Sequence, residues 1–546
     1  MTQLTQTDRS LILRSIGGIT LSLCLVTSLI ALVYGLTVQN TFEHTLGVFI
    51  DKQTWLLIYV ASKQALISTL CSIIVGVACA RAIYRRGHFF GKRLILYTSF
   101  IAMILPTTVA AVSLVSLWGR NGYARVVLEP LLPDGVLFAP YGLGMVVLAH
   151  VLFNAPIVLR VCLSSMQTVP HSYLKLGANL NFGSLSYWRF IEWPAVRKPL
   201  PALFGLIFLL CFSSFPLVLM LGGGPSVSTL EVAIYTAIRF EFDLAKGGAL
   251  ALLQLVFASC AIVIISFSNS LNWSSATGNE SVVVRKDATS RLSIFADYTV
   301  ISIFLTIVLL PILTIISSLD TSNSAKLFMR PVFWEALSSS LVLGISAAIL
   351  STSLALFLAG AYHNASRFRF MSAFCALINI SVSIYLVVPS VILGTSIFLA
   401  LRGHIDLFGA TFFIVLLSNT LMCLPFASRL IFPKYTTTFN SLDKLCLSLN
   451  VRGINKFRLI TLPLLRNEIG LSLGLCSALA MGDFGVIALF GSENFRTLPW
   501  LLYQYSSRYG GSEAELLGLI MLGLALAKYF FFVTVLKLPY QRAKRC

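Results

Sequence analysis

Windows of about twenty mostly apolar residues recur along this 546-residue chain, and no other feature limits its fold as sharply. Twelve are read, at 15–36, 57–80, 94–117, 142–164, 200–221, 248–268, 296–318, 336–360, 371–400, 409–429, 467–490 and 516–536. A helix of ~20 apolar residues spans the ~30 Å hydrocarbon core of a bilayer. Only 11% of the residues are charged and 57% are apolar, whereas a soluble domain carries ~25% charged residues to cover its water-facing surface. That balance excludes a cytosolic enzyme, a nucleic-acid-binding domain and a disordered chain. The pattern predicts an all-α polytopic membrane protein of about twelve transmembrane helices. The first window is too long for a cleaved leader, and no A-x-A-like site follows it.

Charge supplies the sidedness. The net charge of +19 comes from 40 basic and 21 acidic residues. With the N-terminus inside, 28 Lys and Arg fall on the inner side, 11 on the outer side, and Lys528 lies within the last window. Basic residues are retained on the cytoplasmic side of short loops, so both termini are expected in the cytoplasm.

The chain also repeats itself. With a displacement of 269 residues, Pro156 falls on Pro425, Arg160 on Arg429, Lys175-Leu176 on Lys444-Leu445, Leu180-Asn181 on Leu449-Asn450, Pro194 on Pro463 and Phe215 on Phe484. With small shifts, Gln64-Ala65-Leu66 and Ser68 pair with Glu335-Ala336-Leu337 and Ser339, Pro106 with Pro389, and Tyr235 with Tyr503. Two six-span halves in one chain are therefore expected, inserted in the same orientation because six is even, as a parallel repeat. The boundaries predicted are a tail, first helix and outer loop at 1–54, the first repeated unit at 55–268, and a polar linker at 269–295. A seventh helix with its outer loop follows at 296–333, then the second unit at 334–536 and a basic tail at 537–546.

The best-matched stretch is not a span but the loop between the fourth and fifth spans of each half, VPHSYLKLGANLNFGSLSYWRFIEWP (169–194) and TFNSLDKLCLSLNVRGINKFRLITLP (438–463). Helical spacing predicts an apolar face from Leu174, Gly177, Ala178 and Phe182 in the first, and from Leu442, Leu445, Leu449 and Val451 in the second. Two readings remain open. Each helix lies on lipid headgroups, or the pair docks on two identical cytoplasmic subunits, as an internal two-fold repeat would require.

These loops resemble the "EAA" loop of importer-type ABC permeases, in which Glu-Ala-Ala is followed after three residues by Gly and after nine more by Ile-x-Leu-Pro. Counting back from Ile191 to Pro194 puts Glu-Ala-Ala on Lys175, Leu176 and Gly177 and the glycine on Asn181. Counting back from Ile460 to Pro463 puts them on Lys444, Leu445 and Cys446 and the glycine on Asn450. The spacing is kept in both halves while the Glu and Gly are replaced, and Asn is the next best residue for a left-handed bend. RFIEWPAVRKPLP (189–201), CFSSFPLVLMLGGGPSVSTLEVAIYTAIRFEFD (211–243) and GDFGVIALFGSENFRTLPWLLYQ (482–504) are similar to the thiamine branch of fused, two-domain ABC permeases, and fused ferric-iron permeases are built alike.

The resemblance implies the type I importer permease fold in a bacterial inner membrane, import of thiamine or its phosphates, and a periplasmic thiamine-type binding protein. It also implies two copies of a cytoplasmic ATPase docked on Leu174–Ala178, Asn181 and Gly183 and on Lys444–Cys446, Leu449, Asn450 and Gly453. ATP and magnesium would then belong to the partner, and this chain would be a transport subunit without cofactor, metal or nucleic acid.

The residues themselves agree with a passive pore. No G-x-x-x-x-G-K-[ST] motif is present to cradle a triphosphate, and Gly222-Gly223-Gly224-Pro225 reads as an outer turn. An ion-coupled carrier needs titratable groups at membrane depth, and only Asp483 lies well inside an apolar run. The six histidines are scattered without ligand spacing, which argues against a membrane enzyme. The candidate pathway residues are Pro106, Ser214, Phe215, Pro389, Asp483 and Phe484. Pro106 and Pro389 are expected to kink the third span of each half. Asp483 either attracts a cationic solute or, between Gly482 and Gly485, marks a helix break. Its counterpart is Ser214. His150 is expected to make a polar contact between helices.

Overall fold

Every regular element among the described residues of the computed structural model is a helix. The structure describes residues 17–543 apart from 19, 24, 26–46, 88, 120–121, 129–138, 140, 267–285, 318–325, 387, 402–405, 407–408, 450, 452, 492–494 and 509–511. Most of the expected span 15–36 and of the linker 269–295 lies outside the described residues.

In chain order the principal helices are α1 (Lys52–Arg86), α2 (Lys92–Ile104), α3 (Thr107–Trp118), α4 (Leu143–Gln167), α5 (His171–Asn179), α6 (Leu200–Phe212), α7 (Phe215–Leu221), α8 (Leu230–Arg239) and α9 (Leu244–Ser266). They continue as α10 (Arg291–Ser317), α11 (Pro331–Ala365), α12 (Ser372–Ser383), α13 (Ser390–Leu401), α14 (Thr411–Ser448), α15 (Leu462–Gly482), α16 (Gly485–Phe490), α17 (Leu498–Arg508) and α18 (Ser512–Ala543).

Among the described residues seven helices are long and apolar enough to cross a membrane, or nine if two bent pairs each count as one span. The chain is thus a multi-pass membrane protein, and its described residues show fewer unbroken crossings than the twelve apolar windows suggest. Within windows 94–117, 200–221 and 371–400 the reason lies in breaks that hydropathy averages over. Pro106 does not kink a span but separates α2 from α3, whose axes differ by 115°. Pro389 stands in the same relation to α13, and α3 and α13 are both twelve residues long. In each case the proline carbonyl accepts the first helical bond, from Ala110 N–H at 3.1 Å and from Leu393 N–H at 3.0 Å. Window 200–221 divides at Ser213-Ser214, and 371–400 divides between Ser383 and Ser390.

α1 and α11 are each 35 residues long. Their entries match in detail. The Trp55 indole donates to the Phe49 carbonyl at 2.8 Å, and the Trp334 indole to the Phe328 carbonyl at 2.9 Å. This pairing sets Trp55 against Trp334, so the helices correspond eight residues out of the register in which Gln64 pairs with Glu335. Within α1, Gln64 and Ser68 both reach Nδ1 of His150 on α4, at 2.8 and 3.0 Å, which makes His150 a contact between helices. Asn419, its counterpart on α14, instead donates to the Ala480 carbonyl at 3.1 Å.

Polar contacts mark the two ends of the bundle. At one end Ser116 of α3 meets Glu515 of α18, and Arg330 at the start of α11 pairs with Glu513 at 3.1 Å. At the other, Arg85 and Arg86 at the end of α1 meet Asp297 near the start of α10. Helix direction carries the end of α11 to this second end too. Both loop segments resembling the EAA pattern sit there.

Candidate functional site

In the first loop segment, Pro170 interrupts the helix, because a residue preceding proline is pushed out of the α region. α5 therefore starts afresh after α4. Its end is closed by Asn181, at φ +54°, with the Phe182 N–H donating to the Gly177 carbonyl at 2.9 Å. A left-handed residue beside such a six-to-one bond is a Schellman cap, for which Asn is a common second to Gly. The second segment has Phe439 where the first has Pro170, and it runs on without a break inside α14. Its end makes the equivalent bond, from Val451 N–H to the Cys446 carbonyl at 2.9 Å. Asn450 lies outside the described residues. Gly183 is extended at φ −78°, and Gly453 has φ +59°.

Both segments then pass through one π-helical turn, Trp188–Glu192 and Phe457–Thr461. Pro194 and Pro463 follow two residues later. A proline ring collides with the carbonyl four residues back and brings no N–H. The residue before each proline therefore bonds five residues back, Trp193 N–H to the Trp188 carbonyl and Leu462 N–H to the Phe457 carbonyl. The local bulge thus recurs at a spacing of 269 residues.

The anchoring of the two segments differs. In the first, Leu174 is buried with Tyr187 and Ile191. Gly177 lets the helix approach, since a Cβ there would lie 2.9 Å from Tyr187 Cε1 and 3.1 Å from Ile191 Cδ1. Ala178 and Phe182 are half-buried. Arg81 of α1 pairs with the fully buried Glu192 at 2.8 Å, donates to the Ser184 carbonyl at 2.7 Å, and lies over the Trp188 ring. Arg85 reaches Ser184 and Asp297 together. Three arginines close together at a span end, Arg81, Arg85 and Arg86, are the sequence signal for this cluster, which helical periodicity alone does not single out.

In the second segment the expected apolar face is corrected. Leu445 and Leu449 are 53% and 64% exposed, and Leu442 and Val451 are half-buried. The buried face carries Phe439, Asp443 and Cys446 instead. Asp443 turns inward because it meets two cationic partners, Lys456 at 2.8 Å and Arg367, and the His363 imidazole. Asp443 occupies the position of Leu174, and Cys446 that of Gly177. What the two segments share is the outward face. Leu176 and Leu180 are 54% and 58% exposed, close to the values for Leu445 and Leu449. Lys175 and Lys444 are also exposed.

The pathway candidates gather elsewhere. Asp483 closes α15 in extended conformation and accepts from the Val486 N–H at 3.4 Å, so the helix breaks there. Ser214 sits at the matching break between α6 and α7. The next residue in each half is a phenylalanine, and these two meet. Phe215 and Phe484 stack with ring centroids 5.8 Å apart and planes 10° apart. Tyr235 lies 5.2 Å from Phe215, and Tyr503 lies 5.1 Å from Phe484. Arg239 of α8 bonds the Gly491 carbonyl at 3.0 Å and so ties the same region together. Pro106 joins it through Gly482, where a Cβ would come 3.0 Å from the proline ring. Ser390, next to Pro389, lies against Gly485. Among the described residues no group of three His, Cys, Asp or Glu is placed to hold a metal ion.

Known proteins decide the family. The chain is 35% identical over 481 residues to the thiamine transport system permease protein ThiP of Brucella suis, covering 87% of each. It is 33% identical over 503 residues to that of Escherichia coli, covering 92% of each.

The chain belongs to the thiamine transport permease family.

A further relative, ThiP of Haemophilus influenzae, is 33% identical to this permease over 523 residues, 93% of this chain and 95% of that one. A putative ferric transport system permease protein of the same organism is 24% identical to the permease over 210 residues, 38% of its length. A search of family models finds no match.

Proposed function

We propose that this permease is the membrane-spanning subunit of an ATP-driven importer in a bacterial inner membrane, with both termini cytoplasmic. It moves thiamine, with or without phosphates, from a periplasmic binding protein into the cell. Twelve spans form two parallel halves around residues 55–268 and 334–536. The segments at 169–185 and 438–454 each receive one copy of a cytoplasmic ATPase, which holds ATP and magnesium. ATP-driven closure of the ATPases draws the segments together and rocks the halves about the central stack.

The observation that carries this reading is the matched outward face, Leu176 with Leu180 and Leu445 with Leu449, at one end of the bundle. Leucines half or more exposed at corresponding places suit two identical partners. The thiamine assignment rests on the named substrate of relatives that share most of the chain's length. The more distant ferric relative supports the permease architecture and not its substrate.

The test is uptake of labelled thiamine by a strain lacking this chain, with and without the gene restored. Restoration of thiamine uptake is expected. Restoration of ferric-iron uptake alone would overturn the substrate.

A further inference from the structure

We propose that the ring set Tyr235, Phe215, Phe484 and Tyr503, with Trp500 behind it and the carboxylate of Asp483 beside it, is a recognition site for a flat aromatic cation, which inserts between Phe215 and Phe484. The proposal rests on the thiamine reading and deepens it. Thiamine carries a positive thiazolium and a flat pyrimidine, and this region offers both complements.

The first complement is aromatic. Phe215 and Phe484 present their faces to each other, nearly parallel. Trp500 lies 6.1 Å from Phe484 and 6.0 Å from Tyr503, which widens the aromatic wall on one side. Ring faces carry negative potential and attract cations, most strongly where water is excluded. Phe215, Phe484 and Tyr235 are at most 2% exposed. The pair is closed in this state. A flat heterocycle needs the two rings to part to about 7 Å, twice a stacking distance. Both phenylalanines follow directly on helix breaks, so a change in the angle between the halves moves them apart without unwinding a helix.

The second complement is charge. Asp483 precedes Phe484 and lies in an apolar surrounding, where an ionised carboxylate without a counter-ion is costly. Among the described residues its polar contacts are backbone N–H groups and the Ser390 side chain, and no cationic side chain pairs with it. The matching residue in the other half is Ser214, so the negative charge stands on one side of the stack. A two-fold ring pair with charge on one side suits a substrate whose positive ring is at one end.

The experiment uses the full complex of permease, ATPase and binding protein in proteoliposomes, reading labelled thiamine moved per ATP hydrolysed at saturating binding protein. Phe484→Leu and Phe215→Leu keep apolar bulk and remove the ring face, and each is expected to lower the ratio at least fivefold. Phe484→Tyr restores the face and returns the ratio to within twofold of the original chain. Asp483→Asn, nearly isosteric and able to keep the backbone contact, lowers it at least fivefold, and Asp483→Glu recovers it. If a leucine variant fails to assemble, the Asp483 pair decides. Leucine or asparagine variants that transport as the original chain does would overturn the site, as would a tyrosine variant as impaired as the leucine one. A failure of the original complex to move thiamine would overturn the importer reading instead.

Discussion

Phe215 and Phe484 stand 269 residues apart in sequence and 5.8 Å apart in space, stacked within 10° of parallel. Each is the first residue after a helix break, and each is flanked by a tyrosine at nearly the same distance, 5.2 Å for Tyr235 and 5.1 Å for Tyr503. The contact joins the two stretches of chain that the 269-residue repeat relates. The loop segments, with their shared cap, π-turn and outward leucines, lie at one end of the same bundle.

The outward leucines are expected to serve a partner and not the chain's own stability. Leu176→Glu and Leu445→Glu should each lower the amount of ATPase retained on the purified permease at least tenfold, the effect expected of an interface anchor. Thermal unfolding of the isolated permease should change by no more than about 0.5 kcal/mol, as for most surface substitutions. Copurification measures the first and a melting curve the second. Normal retention in both variants would remove these faces from the interface.

Gly177 is expected to tolerate no side chain. A Cβ there meets Tyr187 and Ile191 inside van der Waals contact, and forced overpacking costs roughly 1–3 kcal/mol. Gly177→Val should loosen α5 from the π-turn, seen as faster proteolysis between residues 168 and 187. Cys446→Val, at the corresponding place in the other half, should be milder because a side chain is already accommodated.

Asp443 gathers His363, Arg367 and Lys456. Asp443→Ala leaves Arg367 and Lys456 without their shared counter-ion, and removal of one partner from a buried ionic group costs about 3–5 kcal/mol. Because Arg367 and Lys456 are partly exposed, the lower part of that range is expected, read as a fall in melting temperature. Asp443→Leu copies the first half, where Leu174 occupies this position, and should not recover the loss while Arg367 and Lys456 remain.

Glu231 lies in α8, outside the apolar windows, fully buried with the Gln254 amide donating to it at 2.8 Å. Burial pushes its carboxyl up from 4.5 to about 8, the amide offsetting part of the rise. The folded state therefore holds a proton that the unfolded chain releases above pH 4.5, and the stabilisation is lost as pH rises through about 8. Melting temperature should fall between pH 5 and 9, and Glu231→Gln should flatten that slope. An unchanged slope in the variant would assign the pH dependence to other groups.

Much of this arrangement was legible in the residues. Pro194 and Pro463 made the turns before the fifth spans comparable, and Asn181 marked where the first loop helix ends. Gly482 and Gly485 around Asp483 pointed to a broken helix. Other features escaped for physical reasons. Hydropathy averages over a window, so the 115° turn at Pro106 reads as a kink in one span. Periodicity ranks Asp443 as outward because the sequence does not reveal that His363, Arg367 and Lys456 converge on it. The pairing of α1 with α11 rests on two indole hydrogen bonds, from Trp55 and Trp334, and small-residue matches near Gln64 were too common to fix the register.

The proposed importer has a pore without an energy source of its own, driven through the paired loop segments. Its most direct test is reconstitution of the purified chain in proteoliposomes, alone or with the ATPase and the binding protein. No accumulation of labelled thiamine by the lone chain is expected under an imposed proton or sodium gradient, and accumulation is expected on adding ATP only with both partners present. Uptake by the lone chain driven by an ion gradient would contradict it.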